Sequence, residues 1–270
     1  MRATKSVLIT TLTWILVLLF FFPIAVMFLN AFKTENAAAS VPPSFLFEPT
    51  LDGFRQLGER GMWGYLQNSI ISSVTSTALV IVLAVPAAYA LSIRPVRKVQ
   101  DTLFYFISTR FMPLAAAILP MYIILKKLEL LDNIWALSLV YTAMNLAIAV
   151  WMMRSFLAEV PIGVVEAARI DGAGFRTELL RVVLPLVLPG VAAVALICFI
   201  FSWNEYFMAL LLTASDARTT PPFLGSFVDG RGQFLAVLSA ASSVAVLPVI
   251  AAGWIAQKQL VRGLAMGAVK

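Results

Sequence analysis

The chain has 270 residues, 61% hydrophobic and 13% charged, with mean hydropathy +0.91; a soluble domain is about 45–50% apolar and about 25% charged, so water is not its main solvent. The net charge of +6 is scattered over short connections without interleaved aromatics, which excludes a nucleic-acid face and makes the basicity a topological signal. One cysteine, Cys198, and no histidine remove disulfide frameworks, the commonest zinc sites and every His-based triad, so neither catalytic residues nor a metal site are expected.

The first apolar block, 7–32, follows Arg2 and Lys5. Ala37-Ala38-Ala39 could pass for a signal-peptidase site, but a block of 26 residues exceeds the about 7–15 of a signal core, so an uncleaved span is expected. The outer segment 33–67 holds Pro42, Pro43 and Pro49 and reads as an irregular loop with a short surface helix. Further spans are predicted at 68–93, 103–125, 134–153, 184–213 and 234–256, each near the length a bilayer about 30 Å thick requires. Six spans put both termini on one side. Cytoplasmic termini place twelve basic residues inside and seven outside, and Arg94, Arg97 and Lys98 share one inner loop. Trp63, Trp135 and Trp151 fall near span ends, where interfacial aromatics sit. The expectation is an all-α membrane protein of about six transmembrane helices, residues 1–270 forming a single transmembrane domain with an inner loop over 154–183.

That inner loop carries four acidic and four basic residues mixed with apolar ones and reads as folded helix. Pro161 suits the first turn of a helix through Ile162, Val165 and Arg169, and Gly172 with Gly174 would end it. Ala167 and Ala168 leave one face with little bulk, so another protein can approach the backbone, and Glu166 and Asp171 supply charge at its borders. The competing reading is an amphipathic surface helix without a partner. Beyond it, Pro185 and Pro189 fall near the start of the fifth predicted span and can kink or stiffen the join.

The spacing Glu166-Ala167-Ala168, three residues, Gly172, nine residues, Val182, one residue, Leu184-Pro185 resembles the EAA loop of ABC importer permeases. Phe22-Pro23 with Asn30 to Thr34, Trp203-Asn204-Glu205, and the stretch Gln259 to Leu264 with Gly267 to Lys270 look like carbohydrate-type permeases of the maltose-permease class, so the likeness covers nearly the whole chain. Trp254 to Gly263, and Pro42-Pro43 with Phe45 to Thr50, look most like the polyol (mannitol and sorbitol) branch. The resemblance implies the type I importer permease fold in a bacterial inner membrane. It also implies a coupling helix formed by Glu166, Ala167, Ala168, Asp171 and Gly172 that sits in a cleft of the ATPase. The implied assembly has a second related permease, an ATPase dimer on the cytoplasmic side and a periplasmic or lipid-anchored solute-binding protein. The cargo would be a sugar, a polyol or a monosaccharide derivative, and the tail ending at Lys270 would reach the ATPase. The chain lacks the phosphate-binding loop G-x-x-x-x-G-K-[ST], so no cofactor is expected in it; ATP and Mg would be bound by the partner.

Polar groups inside predicted spans mark a candidate pathway. Asn204, Glu205 and Tyr206 offer a sugar hydrogen-bonding groups beside the apolar face of Trp203. A carboxylate at that depth costs about 2–3 kcal/mol, so Glu205 either lines the pathway or fixes helix packing. Arg110 either snorkels or forms a structural pair, or binds an anion such as an acidic sugar derivative. Asn145 either faces the pathway or joins helices. Ser72, Ser73, Thr75, Ser76 and Thr77 are expected to bond back to their own helix. The alternative function, a stand-alone secondary transporter, would need coupling-ion carboxylates near the midplane, and Glu205 is the only acidic residue in a predicted span. A membrane-embedded enzyme would need a nucleophile and base, or a metal cluster, that the sequence does not supply.

Overall fold

The computed structural model describes residues 2–94, 97–228 and 234–267, leaving aside the side chains of 2–5, 114–115 and 260–267. The described residues are helical or irregular, and their contacts fall into two compact units. Five helices are long and apolar enough to cross a membrane, or six if one bent pair counts as a single span.

The first unit comprises Met1–Gly64 with Phe223–Leu247. Its long helix α1 (Arg2–Asn30) has none of its apolar stretch buried inside the chain, and only its last turns are partly covered. Thr10, Thr11 and Thr13 return their hydroxyls to Ser6, Val7 and Ile9 carbonyls at 2.8–2.9 Å, which satisfies them without water. Two short helices, α2 (Glu35–Ala38) and α3 (Asp52–Glu59), order the predicted loop. Thr34 caps α2 in the extended conformation, and both Glu35 carboxylate oxygens accept the Ala236 and Val237 N–H groups at 2.8 and 3.0 Å. A side chain at Gly53 would meet the Ala31 and Ala236 carbonyl oxygens at 3.3–3.4 Å, a tight contact that would require those neighbours to shift by a few tenths of an ångström. The Arg60 guanidinium lies over the Phe227 and Phe234 rings at 5.3 and 5.1 Å.

The second unit comprises Tyr65–Pro222 and Pro248–Lys270. It is built from α4 (Met62–Ser92), α5 (Val99–Ser108), α6 (Leu114–Lys127), α7 (Ile134–Leu157), α8 (Ile162–Ile170), α9 (Phe175–Thr177), α10 (Leu184–Trp203) and α11 (Phe207–Leu212). Two further helices, α12 (Thr220–Gly225) and α13 (Leu235–Gly267), run through both groups of residues. Asn133 caps α7 by accepting from the Trp135 and Ala136 N–H groups, and α7 is the most enclosed helix, with 61% of its apolar window buried. Its faces join two cores. Ala149, Val150, Met153 and Leu157 pack with α4 and α10, and Leu137, Val140 and Tyr141 pack with α11. Gly190 of α10 sits against the ring of Phe156 on α7.

Two predicted spans are corrected. The stretch 103–125 is not one rod: α5 passes through a 3₁₀ turn, Thr109–Phe111, and the chain then bends by 90° into α6. Pro113 has no N–H to continue α5 and disfavours helical backbone at the residue before it; Met112 is accordingly extended, with φ −67° and ψ 127°. The fifth span runs from Phe175 to Trp203 instead of 184 to 213, because a π-helical turn, Glu178–Val183, joins α9 to α10. Pro185 is the second residue of α10, directly after that π turn. The chain stops being helical at Asn204 and resumes as α11.

Candidate functional site

Pro161 caps α8 and Gly172 ends it. Asp171 is the C-cap. Gly172, at φ +80°, donates to Arg169 O at 3.0 Å, and Ala173 donates to Ala168 O at 2.9 Å, which is the Schellman closure. Only glycine adopts that φ without strain, so the residue in the sequence pattern has a local mechanical reason. Val165 is wholly buried, whereas Glu166, Ala167 and Asp171 are exposed, and Ile170 is 86% exposed at the tip. The exposed side of α8 therefore carries small residues, the carboxylates of Glu166 and Asp171, and the apolar side chains of Ile162, Val164 and Ile170.

What anchors α8 is a group that sequence reasoning passed over. Glu178, 0% exposed, receives the Arg169 guanidinium bidentately at 2.9 and 3.1 Å, Arg94 Nη2 at 3.1 Å, and the Tyr89 hydroxyl. The Phe175 ring packs edge-on against Tyr89 at 5.6 Å and lies 6.0 Å from the Arg94 guanidinium. One buried carboxylate thus ties α8 to the inner end of α4 and to the π turn that begins the fifth span. Charge-assisted, bidentate bonds of this kind are the strong ones. The available signal was the alternation of sign over Arg169, Asp171, Arg176, Glu178 and Arg181, but nothing local singles out Glu178, because Tyr89 and Arg94 lie 89 and 84 positions away.

The predicted pathway residues gather around one cavity of about 860 Å³, walled mostly by apolar side chains of α6, α7, α10 and α11. Arg110, Asn145, Asn204, Glu205 and Tyr206 all line it. Their roles differ. Glu205 stands at the break after α10: Oε1 accepts the Phe207 and Met208 N–H groups at 3.1 and 3.0 Å, and Oε2 accepts Ala209 N–H at 3.1 Å. It lies on the dipole of α11 and satisfies donors that would otherwise face apolar surroundings. Asn204 bonds back to Ile200 O at 2.8 Å. Asn145 is buried and donates to Tyr141 O and to Ser202 Oγ, both at 3.0 Å; Ser202 also receives Ser76 at 2.9 Å. That polar seam joins α4, α7 and α10. Of the five hydroxyls expected to bond back to their own helix, Ser72 and Ser76 do so, to the Asn68 and Ser73 carbonyls, and Ser76 also reaches across to α10; the Ser73 and Thr77 hydroxyls are instead buried without a hydrogen-bond partner among the described residues.

Arg110 does not reach toward the start of α5. The 3₁₀ turn directs it to the middle of α7, where Nη1 donates to Met144 O at 2.7 Å and the guanidinium lies 5.8 Å from the Phe201 ring. In the turn before α7, Asp132 at φ +55° gathers the N–H groups of Ala214, Ser215, Asp216 and Ala217 at 2.9–3.0 Å. Partial burial works against its charge, but those four donors hold its pKa well below the usual carboxylate range. The tail segment 268–270, for which an ATPase contact was expected, lies outside the described residues.

Residues 2–265 match the family described as "Binding-protein-dependent transport system inner membrane component". A probable ABC transporter permease of Sinorhizobium fredii is 37% identical over 270 residues, all of this chain and 97% of the relative. The sulfoquinovosyl glycerol transport system permease of Agrobacterium fabrum is 33% identical over 253 residues, 92% of this chain and 88% of the relative. The maltodextrin permease of Bacillus subtilis is 29% identical over 252 residues, 92% of this chain and 90% of the relative. In three dimensions the chain is similar to a chain of a bacterial ABC transporter involved in the import of the acidic polysaccharide alginate, with TM-score 0.76, 23% identity, and coverage of 96% and 97% of the two chains. With a family match over residues 2–265 and the helical architecture above, the chain belongs to the binding-protein-dependent transport system inner membrane component family, as a non-catalytic, multi-pass inner-membrane ABC transporter permease.

Proposed function

We infer that this chain is one permease half of an ATP-driven importer for a sugar, a polyol or a related monosaccharide derivative, and that α8 is the joint through which ATPase motion reaches the membrane helices. The carrying observation is the build of α8: an exposed small-residue face closed by Gly172 and bound to the spans through Arg169 and Glu178. A surface helix without a partner has no need of a buried bidentate anchor. A second permease completes the translocation path, an ATPase dimer holding ATP and Mg takes α8 in a cleft, and a binding protein delivers cargo from outside. Both termini lie in the cytoplasm in this arrangement. Carbohydrate cargo is supported by relatives named for maltodextrin and sulfoquinovosyl glycerol. The narrower reading, a polyol such as mannitol or sorbitol, rests on the sequence likeness of Trp254 to Gly263 and of Pro42 to Thr50. The cavity lined by Arg110, Asn145, Asn204, Glu205 and Tyr206 belongs to the path.

The test is made on the whole assembly in proteoliposomes with Glu166→Lys and Gly172→Asp. Both variants are expected to insert and pair with the second permease but to lose ATPase association and uptake. Wild-type uptake by either would overturn the role of α8.

A further inference from the structure

Among the described residues that line the cavity, Arg110 is the only cation and Glu205 the only carboxylate. The two do not neutralise each other: both Glu205 oxygens are taken by backbone N–H groups of α11, and the two ion pairs among the described residues are both on Glu178. A guanidinium carries five N–H donors in a planar fork, and one Arg110 nitrogen is used on Met144 O. Arg110 is exposed toward this cavity, and an arginine on a mostly apolar wall inside a predicted span is a functional-site candidate with a partner to name. A snorkelling arginine escapes that cost by reaching an interface, whereas this one is bonded at the middle of α7.

The cavity supplies the rest of a sugar-acid site. Phe201, over which the guanidinium lies, and Tyr206 offer aromatic surface for a sugar face, and Asn204 offers an amide beside them. A volume of about 860 Å³ is within the range of small-molecule sites. We propose that this cavity takes a sugar derivative bearing an acidic group, whose carboxylate pairs with the Arg110 fork while its ring lies against Phe201 and Tyr206. The planar fork matches a carboxylate bidentately, which makes the acid the discriminating feature and the ring the common one. The inference rests on the reading of the cavity as part of the import path.

The test is equilibrium binding of D-glucuronate, D-glucose and acetate to the detergent-solubilised permease pair with its ATPase, in the absence of binding protein and nucleotide, by calorimetric titration. D-glucuronate is expected to bind at least about tenfold more tightly than either of the others. Arg110→Gln should abolish that preference, and Arg110→Lys should keep part of it. Equal binding of D-glucuronate and D-glucose overturns the proposal, as does no binding of either. So does equal binding of acetate, which marks an adventitious anion only. A preference unchanged in Arg110→Gln overturns it too, and so does loss of permease pairing in that variant, which would assign Arg110 to a carboxylate of the second permease. Because binding is read without transport, its failure leaves the coupling role of α8 standing, and uptake by Gly172→Asp would overturn that role while leaving this one untouched.

Discussion

Asp132 shows how one side chain fixes a turn. Its carboxylate replaces four bonds that the N–H groups of residues 214–217 would otherwise seek from water, and its left-handed backbone is one that Asp and Asn tolerate. Asp132→Asn keeps the shape and one acceptor while removing the charge, so the expected loss is about 1–3 kcal/mol. The sign of the pH dependence follows from the depressed pKa. A carboxyl lowered in the folded state contributes stability that is complete above its unfolded value of about 3.9 and is lost as pH falls toward the lower folded one. The gap in unfolding midpoint between wild type and Asp132→Asn should therefore stay constant from neutral pH to about pH 5 and begin to close only near pH 4. A gap that closes already between about pH 7 and 6 would show that the turn depends on some other group.

Between helices, the tightest constraint is Gly190 on Phe156. A methyl group at Gly190 would stand 2.7–2.8 Å from both Cδ atoms of that ring and nearer still to Cγ, close to the stem, where a rotamer change gives little relief. Gly190→Ala should force α7 and α10 apart at a cost of about 1–3 kcal/mol, and adding Phe156→Leu should restore much of it. Thermal unfolding of the single and double variants reads this directly; additive losses would mean that the two residues do not share the contact. The same helices show what sequence reveals. Long apolar blocks announce spans because the bilayer demands length, and α8 is legible because Pro161 and Gly172 are punctuation with local geometry. The break after Trp203 is not legible, since Glu205 amid apolar residues looks like a buried charge until its three N–H donors are seen. Pro113 was readable as a breaker, yet Pro120 inside α6 leaves its helix continuous, so the residue type alone does not decide where a span bends. Glu178 escapes because its partners on α4 are brought to it only by the fold.

Across the second unit, the anchors form a continuous mechanical route. Glu178 binds α8 to α4 at the inner end, and the Ser76, Ser202 and Asn145 seam binds α4, α10 and α7 further along, beside the cavity. A displacement of α8 therefore moves the start of the fifth span and α4 together instead of flexing a loop. Removing the charge tests this. Glu178→Gln keeps one oxygen as acceptor for the Tyr89 hydroxyl and one arginine, but leaves both arginines without their counter-ion. Arg94 and Arg169 remain 41% and 36% exposed, so water can take part of their charge and the loss should fall near or below the lower end of the about 3–5 kcal/mol typical of broken buried pairs. The expected result is an assembly that still binds its ATPase and hydrolyses ATP, but whose hydrolysis no longer responds to loaded binding protein and whose uptake falls at least about tenfold. Arg169→Lys should give a milder form of the same defect, because a point charge replaces a bidentate fork. If Glu178→Gln lowers hydrolysis and uptake in equal proportion to the amount of assembled complex, the carboxylate only stabilises the fold and the route does not carry the motion.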